Sequence, residues 1–184
     1  MTDHSPSELA PDDAALIARW RGGEERAATA LVERHAQAIA RFLASLGERD
    51  EVEELVQDTF VRAFGSLDSF RGESSFRTWL LTIARNLLRD RQRGRTRARP
   101  HVAIQEDDIV SSSDALEETV ATETELRLRE AVQTLSPMQR SIFTLRVTEG
   151  LSYKEIAMAV GSTEGAARVH YHNAMRIIRE KIDD

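Results

Sequence analysis

Arg85, Asn86 and Arg89 stand close together in this chain, and Arg91, Arg93, Arg95, Arg97 and Arg99 follow at alternate positions. Seven Arg and one Asp lie between Arg85 and Arg99, although the whole chain has a net charge of −6. Guanidinium groups grip phosphates, and Arg and Asn side chains recognise base edges. The chemistry this pattern supports is recognition of nucleic acid. A helix end attracts one or two cations through its dipole, and seven exceed that need. Just upstream, Phe70-Arg71-Gly72-Glu73-Ser74-Ser75 combines a ring, a cation, a flexible Gly and hydroxyls. That set suits gripping an unstacked base, and it equally suits a plain connector.

These residues need a frame. Phe76, Trp79, Leu80, Ile83, Ala84, Leu87 and Leu88 recur at helical spacing and make one continuous apolar face. Trp79 belongs to that face and is core by default. Arg77, Thr82, Arg85, Asn86 and Arg89 lie opposite. Asn is a mediocre helix former, so an outward Asn86 in mid-helix points to a polar recognition role.

The spacing predicts three helices before this one. The first is capped at Asp12 or Asp13 and ends at Gly22-Gly23. The second runs from about Glu24 to Leu46, with Ala28, Leu31, Val32, His35, Ile39, Phe42 and Leu43 inward. The third is capped by Asp50, with Glu53 three residues on. Its apolar face is Val52, Leu55, Val56, Phe60, Ala63 and Phe64. On its flank, Glu54-Leu55-Val56-Gln57-Asp58 reads either as a solvated edge or as a docking surface.

After the Arg run, His101 to Glu125 holds eight acidic residues and no Lys or Arg. Few large apolar residues occur there, so the segment reads as a flexible linker. It is a solubilising spacer or a nucleic-acid mimic. Helix resumes near Thr122 and ends at Leu135. Ser136-Pro137 starts another, running to Glu149. Ser152-Tyr153-Lys154-Glu155 is a capping box that starts a short helix. Gly161 then turns the chain, Ser162 or Thr163 caps, and a last helix runs to about Ile182. A short helix, a Gly turn and a longer helix form a helix-turn-helix. Ala167, Tyr171, Ala174 and Ile178 face inward. Glu164, Arg168, Val169, His172 and Asn173 occupy positions that reach base edges in that motif.

The expectation is an all-α chain of two small helical domains. A tail covers residues 1–11, the first domain 12–95, an acidic linker 96–121, and the helix-turn-helix domain 122–184. There is no cysteine, and the five His show no ligand spacing. Gly-rich phosphate loops, zinc-protease motifs and nucleophile elbows are absent from the sequence. No metal, cofactor or catalytic residue is expected. A nucleic-acid-processing enzyme is disfavoured for the same reason. No apolar run reaches the ~20 residues that span a bilayer, and residues 1–8 show neither a basic n-region nor an apolar h-region. A cytoplasmic location is expected.

These motifs resemble one family, the extracytoplasmic-function (ECF) group of bacterial sigma factors. The likeness runs from Glu54 to Phe64, through Phe70-Arg71-Gly72, and from Phe76 to Asn86 with Asp90 and Arg91. It resumes in Leu135 to Arg140, Gly150 to Ala157 and Gly161 to Arg179. The resemblance implies promoter recognition as a subunit of RNA polymerase. It implies that Glu54, Leu55, Gln57 and Asp58, with Arg62, dock on core polymerase. It implies that Phe70, Arg71 and Ser74 hold a flipped base of the minus-ten element. Trp79, Thr82, Arg85, Asn86, Arg89, Arg91 and Arg93 would then contact the same strand and its backbone. Lys154, Arg168, Val169, His172 and Asn173 would serve the minus-thirty-five element. The linker would thread toward the RNA exit channel, and an anti-sigma factor is an expected partner beside core polymerase and promoter DNA.

The recognition helix departs from the family's habit. Members commonly carry Thr-Val-Lys-Ser-Arg where this chain has Ala166-Ala167-Arg168-Val169-His170, and a basic residue where it has Asn173. An independent DNA-binding regulator is the competing function. A sensory first domain would have no need of an Arg- and Asn-faced helix beside a Phe-Arg-Gly loop.

Overall fold

The computed structural model describes residues 12–98 and 123–183, and every regular element among them is helical. In chain order these are α1 (Asp13–Arg21), α2 (Glu25–Ser45), α3 (Val52–Gly65) and α4 (Phe76–Ala98), then α5 (Glu123–Gln133), α6 (Pro137–Val147), α7 (Tyr153–Val160) and α8 (Glu164–Asp183). A 3-10 turn at Leu67–Ser69 lies between α3 and α4. The chain is all-α, as the periodicity predicts. The expected tail, and the linker beyond residue 98, lie outside the described residues. No described helix is long and apolar enough to cross a membrane. Two compact units divide the chain, one ending at Gln37 and one beginning at Ala38.

In the first unit, Asp12 accepts the Ala15 backbone N–H at 2.8 Å and caps α1. Leu16, Ile17, Ala27 and Leu31 are buried. Ala27 takes the inward place expected of Ala28, which is half-buried together with Val32. Asp13 ties α1 to α2. Arg34 donates to it at 2.8 Å, and His35 Nε2 lies 2.9 Å from its other oxygen. Burial pushes the Asp13 carboxyl up, but His35 and Arg34 together outweigh it and hold it below the ordinary 3.8.

A carboxyl depressed in the folded state adds stability that is full above its unfolded pKa and lost as pH falls through the folded one. The Asp13 contribution is therefore expected to be complete above about pH 4 and to fade below it. Urea titration across that range checks this. Wild type should lose its advantage over Asp13→Asn as the solution is acidified.

In the second unit, α3 packs along α4. Leu55, Thr59, Phe60 and Ala63 are buried on α3, and Phe76, Leu80, Leu81, Ala84 and Leu88 on α4. Leu81 thus joins the core, whereas Trp79, Ile83 and Leu87 lie half-buried at the edge of the apolar stripe. The expected Asp50 cap is not formed. Val52 opens α3 behind Glu51, whose side chain makes no capping bond. The buried Glu48 carboxylate instead accepts the backbone N–H of Arg49 at 3.2 Å and of Glu51 at 3.3 Å.

Ala131 and Leu135 meet Ala174 and Ile178 in a small core where α5 crosses α8, with Phe143 of α6 packed against it. The capping box predicted at Ser152 forms, and the helix start predicted at Ser136-Pro137 is a capping box as well. Ser136 and Gln139 exchange bonds at 3.1 and 3.4 Å, and Ser152 and Glu155 at 3.0 and 3.3 Å. α6 ends at Val147, two residues short of expectation. Gly161 closes α7 at φ 63°, a left-handed conformation that favours Gly. Thr163 then accepts the Ala166 N–H at 3.2 Å, so it supplies the cap of α8.

Candidate nucleic-acid interface

The half-buried edge of α4 becomes the floor of a groove. Trp79, Ile83 and Leu87 line it, and Asn86, Arg89 and Arg93 stand at its polar side. Arg62, Ser66 and Ser69 complete it from the end of α3 and the turn beyond. The groove encloses about 620 Å³. An apolar floor with a ring at one end and guanidinium groups along a rim offers stacking to bases and charge to phosphates.

A second hollow of about 360 Å³ adjoins the first through Trp79 and Ser69. Phe70, Arg71 and Ser74 of the loop line it together with Met158 of α7. Phe70 lies edge-on to Phe76 at 5.4 Å and tilted against Trp79 at 5.2 Å, measured between ring centroids. Ser75 orders the loop's exit by accepting the Thr78 backbone N–H at 3.2 Å. The loop residues singled out by composition therefore meet the Arg- and Asn-faced helix, with Trp79 shared between the two hollows. Trp79 serves the surface as well as the core.

Three expected contacts are redirected. Arg91 is engaged by α3. It donates to Glu51 and Glu54 at 2.8 Å and to Asp58 at 2.5 Å. Glu54 foremost, with Glu51 and Asp58, holds its guanidinium above the ordinary arginine range. Arg91 thereby stitches α4 to α3. Arg91→Ala is expected to lower folding stability by about 1 kcal/mol, a modest figure because water screens the partly exposed partners. A urea titration of the variant checks it.

Arg85 is the second. Its guanidinium lies against Gly161, where there is no room for a Cβ. Burial, then the neighbouring Arg89, lowers its pKa. Its Nη2 donates to Asn86 Oδ1 at 3.1 Å, and its Nε is buried without a hydrogen-bond partner. Thr82 is the third, since its hydroxyl donates back to the Thr78 carbonyl at 3.0 Å.

On the α3 flank, Leu55 is wholly buried and offers nothing to a docking partner. Gln57, Glu54 and Arg62 are exposed, and Asp58 is partly so. The sequence reading missed Val61, which is 72% exposed on the same helix. An apolar residue four positions after an exposed Gln was the available signal.

α7 packs against α4. Glu149, whose side chain is only 4% exposed, accepts from Arg41 at 2.6 and 2.9 Å and from Arg77 at 3.5 Å. The α7–α4 contact is what covers Arg85.

The residues singled out on the helix-turn-helix lie at its surface. Lys154, Arg168, Val169, His172 and Asn173 are all exposed. Ala167, Ala174 and Ile178 are buried, and Tyr171 is half-buried against Tyr153 at 5.9 Å.

Comparison with known proteins gives a consistent result. Residues 31–98 match the family described as Sigma-70 region 2, and residues 125–178 match Sigma-70, region 4. The ECF RNA polymerase sigma-E factor of Haemophilus influenzae is 31% identical over 179 residues, covering 92% of this chain and 95% of the relative. The sigma-E factor of Escherichia coli is 31% identical over 180 residues, covering 92% and 94%. The solved sigma factor RpoE of Bartonella quintana, in complex with the anti-sigma factor NepR, matches with a TM-score of 0.67 and 26% identity, over 84% of this chain and 96% of that one. CnrH, in complex with the cytosolic domain of CnrY, matches with a TM-score of 0.63 and 28% identity, over 93% and 97%.

Proposed function

Because this chain belongs to the ECF sigma factors of bacterial RNA polymerase, which recognise promoters and initiate transcription with it, we propose a division of that work between two faces. The groove on α4 and the Phe70 loop take the single-stranded minus-ten element. Phe70, Trp79, Asn86, Arg89 and Arg93, with Arg71 and Ser74, are its contacts. The exposed side of α8, with Lys154 before it, reads the minus-thirty-five element through Arg168, Val169, His172 and Asn173. Glu54, Gln57, Asp58 and Arg62 on α3 dock on core polymerase, and Val61 joins them.

The observation that carries this reading is the meeting of an aromatic hollow with a cationic, apolar-floored groove across the shared Trp79. Trapping unstacked bases requires rings and positive charge side by side. A net charge of −6 opposes tight binding to duplex DNA by the free chain, so affinity comes from docking on a larger partner. Arg85 joins the DNA-facing set once α7 leaves α4. The solved RpoE of Bartonella quintana is in complex with an anti-sigma factor, and we extend that mode of control to this chain.

Run-off transcription tests the proposal. Purified bacterial core polymerase, with and without this protein, is given a pool of fragments from the protein's own genome. New discrete transcripts are the expected result. Absence of transcripts, together with absence of co-migration with core, would instead favour a regulator that binds duplex DNA alone.

A further inference from the structure

The first three turns of α8 hold a single Lys or Arg, Arg168, between Glu164 and Met175. Its guanidinium does not swing freely. The Cζ atom lies 4.7 Å from the centroid of the Tyr153 ring, and Glu164 accepts from Nη2 at 3.0 Å. The ring is itself fixed. Arg146 approaches it at 5.0 Å while donating to the Leu151 carbonyl at 2.8 Å. Tyr171 meets it edge-on at 5.9 Å. Tyr153 thus connects three elements, α6 through Arg146, its own α7, and α8 through Arg168 and Tyr171. Arg168 nevertheless keeps 53% of its side chain exposed.

We propose that Tyr153 is a positioning residue for promoter specificity, holding Arg168 so that it reads one guanine in the major groove. The inference rests on the reading of α8 as the groove-reading helix. Placement over a ring covers the face of a guanidinium, and Glu164 takes one N–H of Nη2, so the remaining N–H groups are left to donate. Two such donors fit O6 and N7 of guanine and no other base. A long side chain held in advance gives up less rotamer freedom when it binds. In a helix with no second cation nearby, the orientation of this one decides the base preference.

The test uses the full-length protein with core polymerase, on the promoter recovered by run-off transcription, with its minus-thirty-five segment randomised. Templates that yield transcript are sequenced, and the readout is the preference at each position. That preference is a ratio within one pool, so it does not depend on what fraction of a variant is folded. Wild type should select guanine at one position, and Arg168→Ala should lose that selection by about tenfold or more. Tyr153→Leu should lose it to a similar extent at that position alone, and Tyr153→Phe should restore it. If Tyr153→Leu gives no soluble protein, Tyr153→Gln carries the same expectation.

Undiminished guanine selection by Tyr153→Leu or Tyr153→Gln, alongside its loss in Arg168→Ala, would overturn the positioning role and leave the reading of α8 intact. Unchanged selection by Arg168→Ala would overturn the assignment of guanine to Arg168. A wild-type pool with no preference anywhere in the segment would overturn the reading of α8 itself.

Discussion

Asn86→Ala is expected to leave affinity for core polymerase unchanged and to reduce promoter opening by at least about tenfold. Asn86 is exposed on the rim of the α4 groove, beside Arg89 and above the half-buried Ile83 and Leu87. Its side-chain oxygen is already engaged by Arg85 at 3.1 Å. The exposed amide N–H groups can donate to a partner, and on the reading proposed above that acceptor is a base of an opened strand. The substitution also separates function from folding. Alanine is the better helix former, by up to about 0.7 kcal/mol at an exposed interior position. A loss of opening therefore has no source in a weakened helix. Permanganate footprinting of the minus-ten segment at saturating sigma measures it, and equal opening by mutant and wild type would remove Asn86 from the site.

The elements that position this groove were legible because they rest on local rules. Apolar spacing from Phe76 to Leu88 placed α4, and Ser136-Pro137 and Ser152 with Glu155 marked two helix starts that form as written. What the sequence did not show has a common origin. Periodicity tells which face of a helix is polar, but not what stands opposite that face. Arg91 looked like one more guanidinium in a basic run, yet its three carboxylate partners lie 33 to 40 residues earlier on α3. Arg85 looked outward, and α7 covers it from a distant part of the chain. Leu55 was legible as core from its spacing, although its segment also reads as a docking surface; the structure buries it completely. The absent Asp50 cap belongs with these. A buried Glu48, three residues before Glu51, met the backbone need first.

The docking face gives the second large effect. Val61→Asp is expected to weaken binding to core polymerase by tenfold or more, with little change in folding stability. Glu54, Gln57 and Val61 follow one another at helical spacing on the outer side of α3, and all three are exposed. Valine with 72% of its surface in water contributes little to the folded chain. Covered by a partner, it is worth roughly 1.5 kcal/mol of apolar burial. An aspartate there forfeits that gain and adds the cost of desolvating a charge, so the combined loss exceeds about 1.4 kcal/mol, one factor of ten in affinity. Val61 is a cleaner probe than Asp58. Removing Asp58 also takes a partner from Arg91 and loosens the α3–α4 stitch, so Gln57→Ala with Asp58→Ala should weaken core binding through two causes at once. Titrating fluorescently labelled protein with core polymerase measures each variant. Unchanged affinity for Val61→Asp would clear this side of α3 of any docking role. Set beside Asn86→Ala, the expected pattern is reciprocal: one variant binds core normally and opens promoters poorly, and the other binds core poorly yet opens normally once core is saturated.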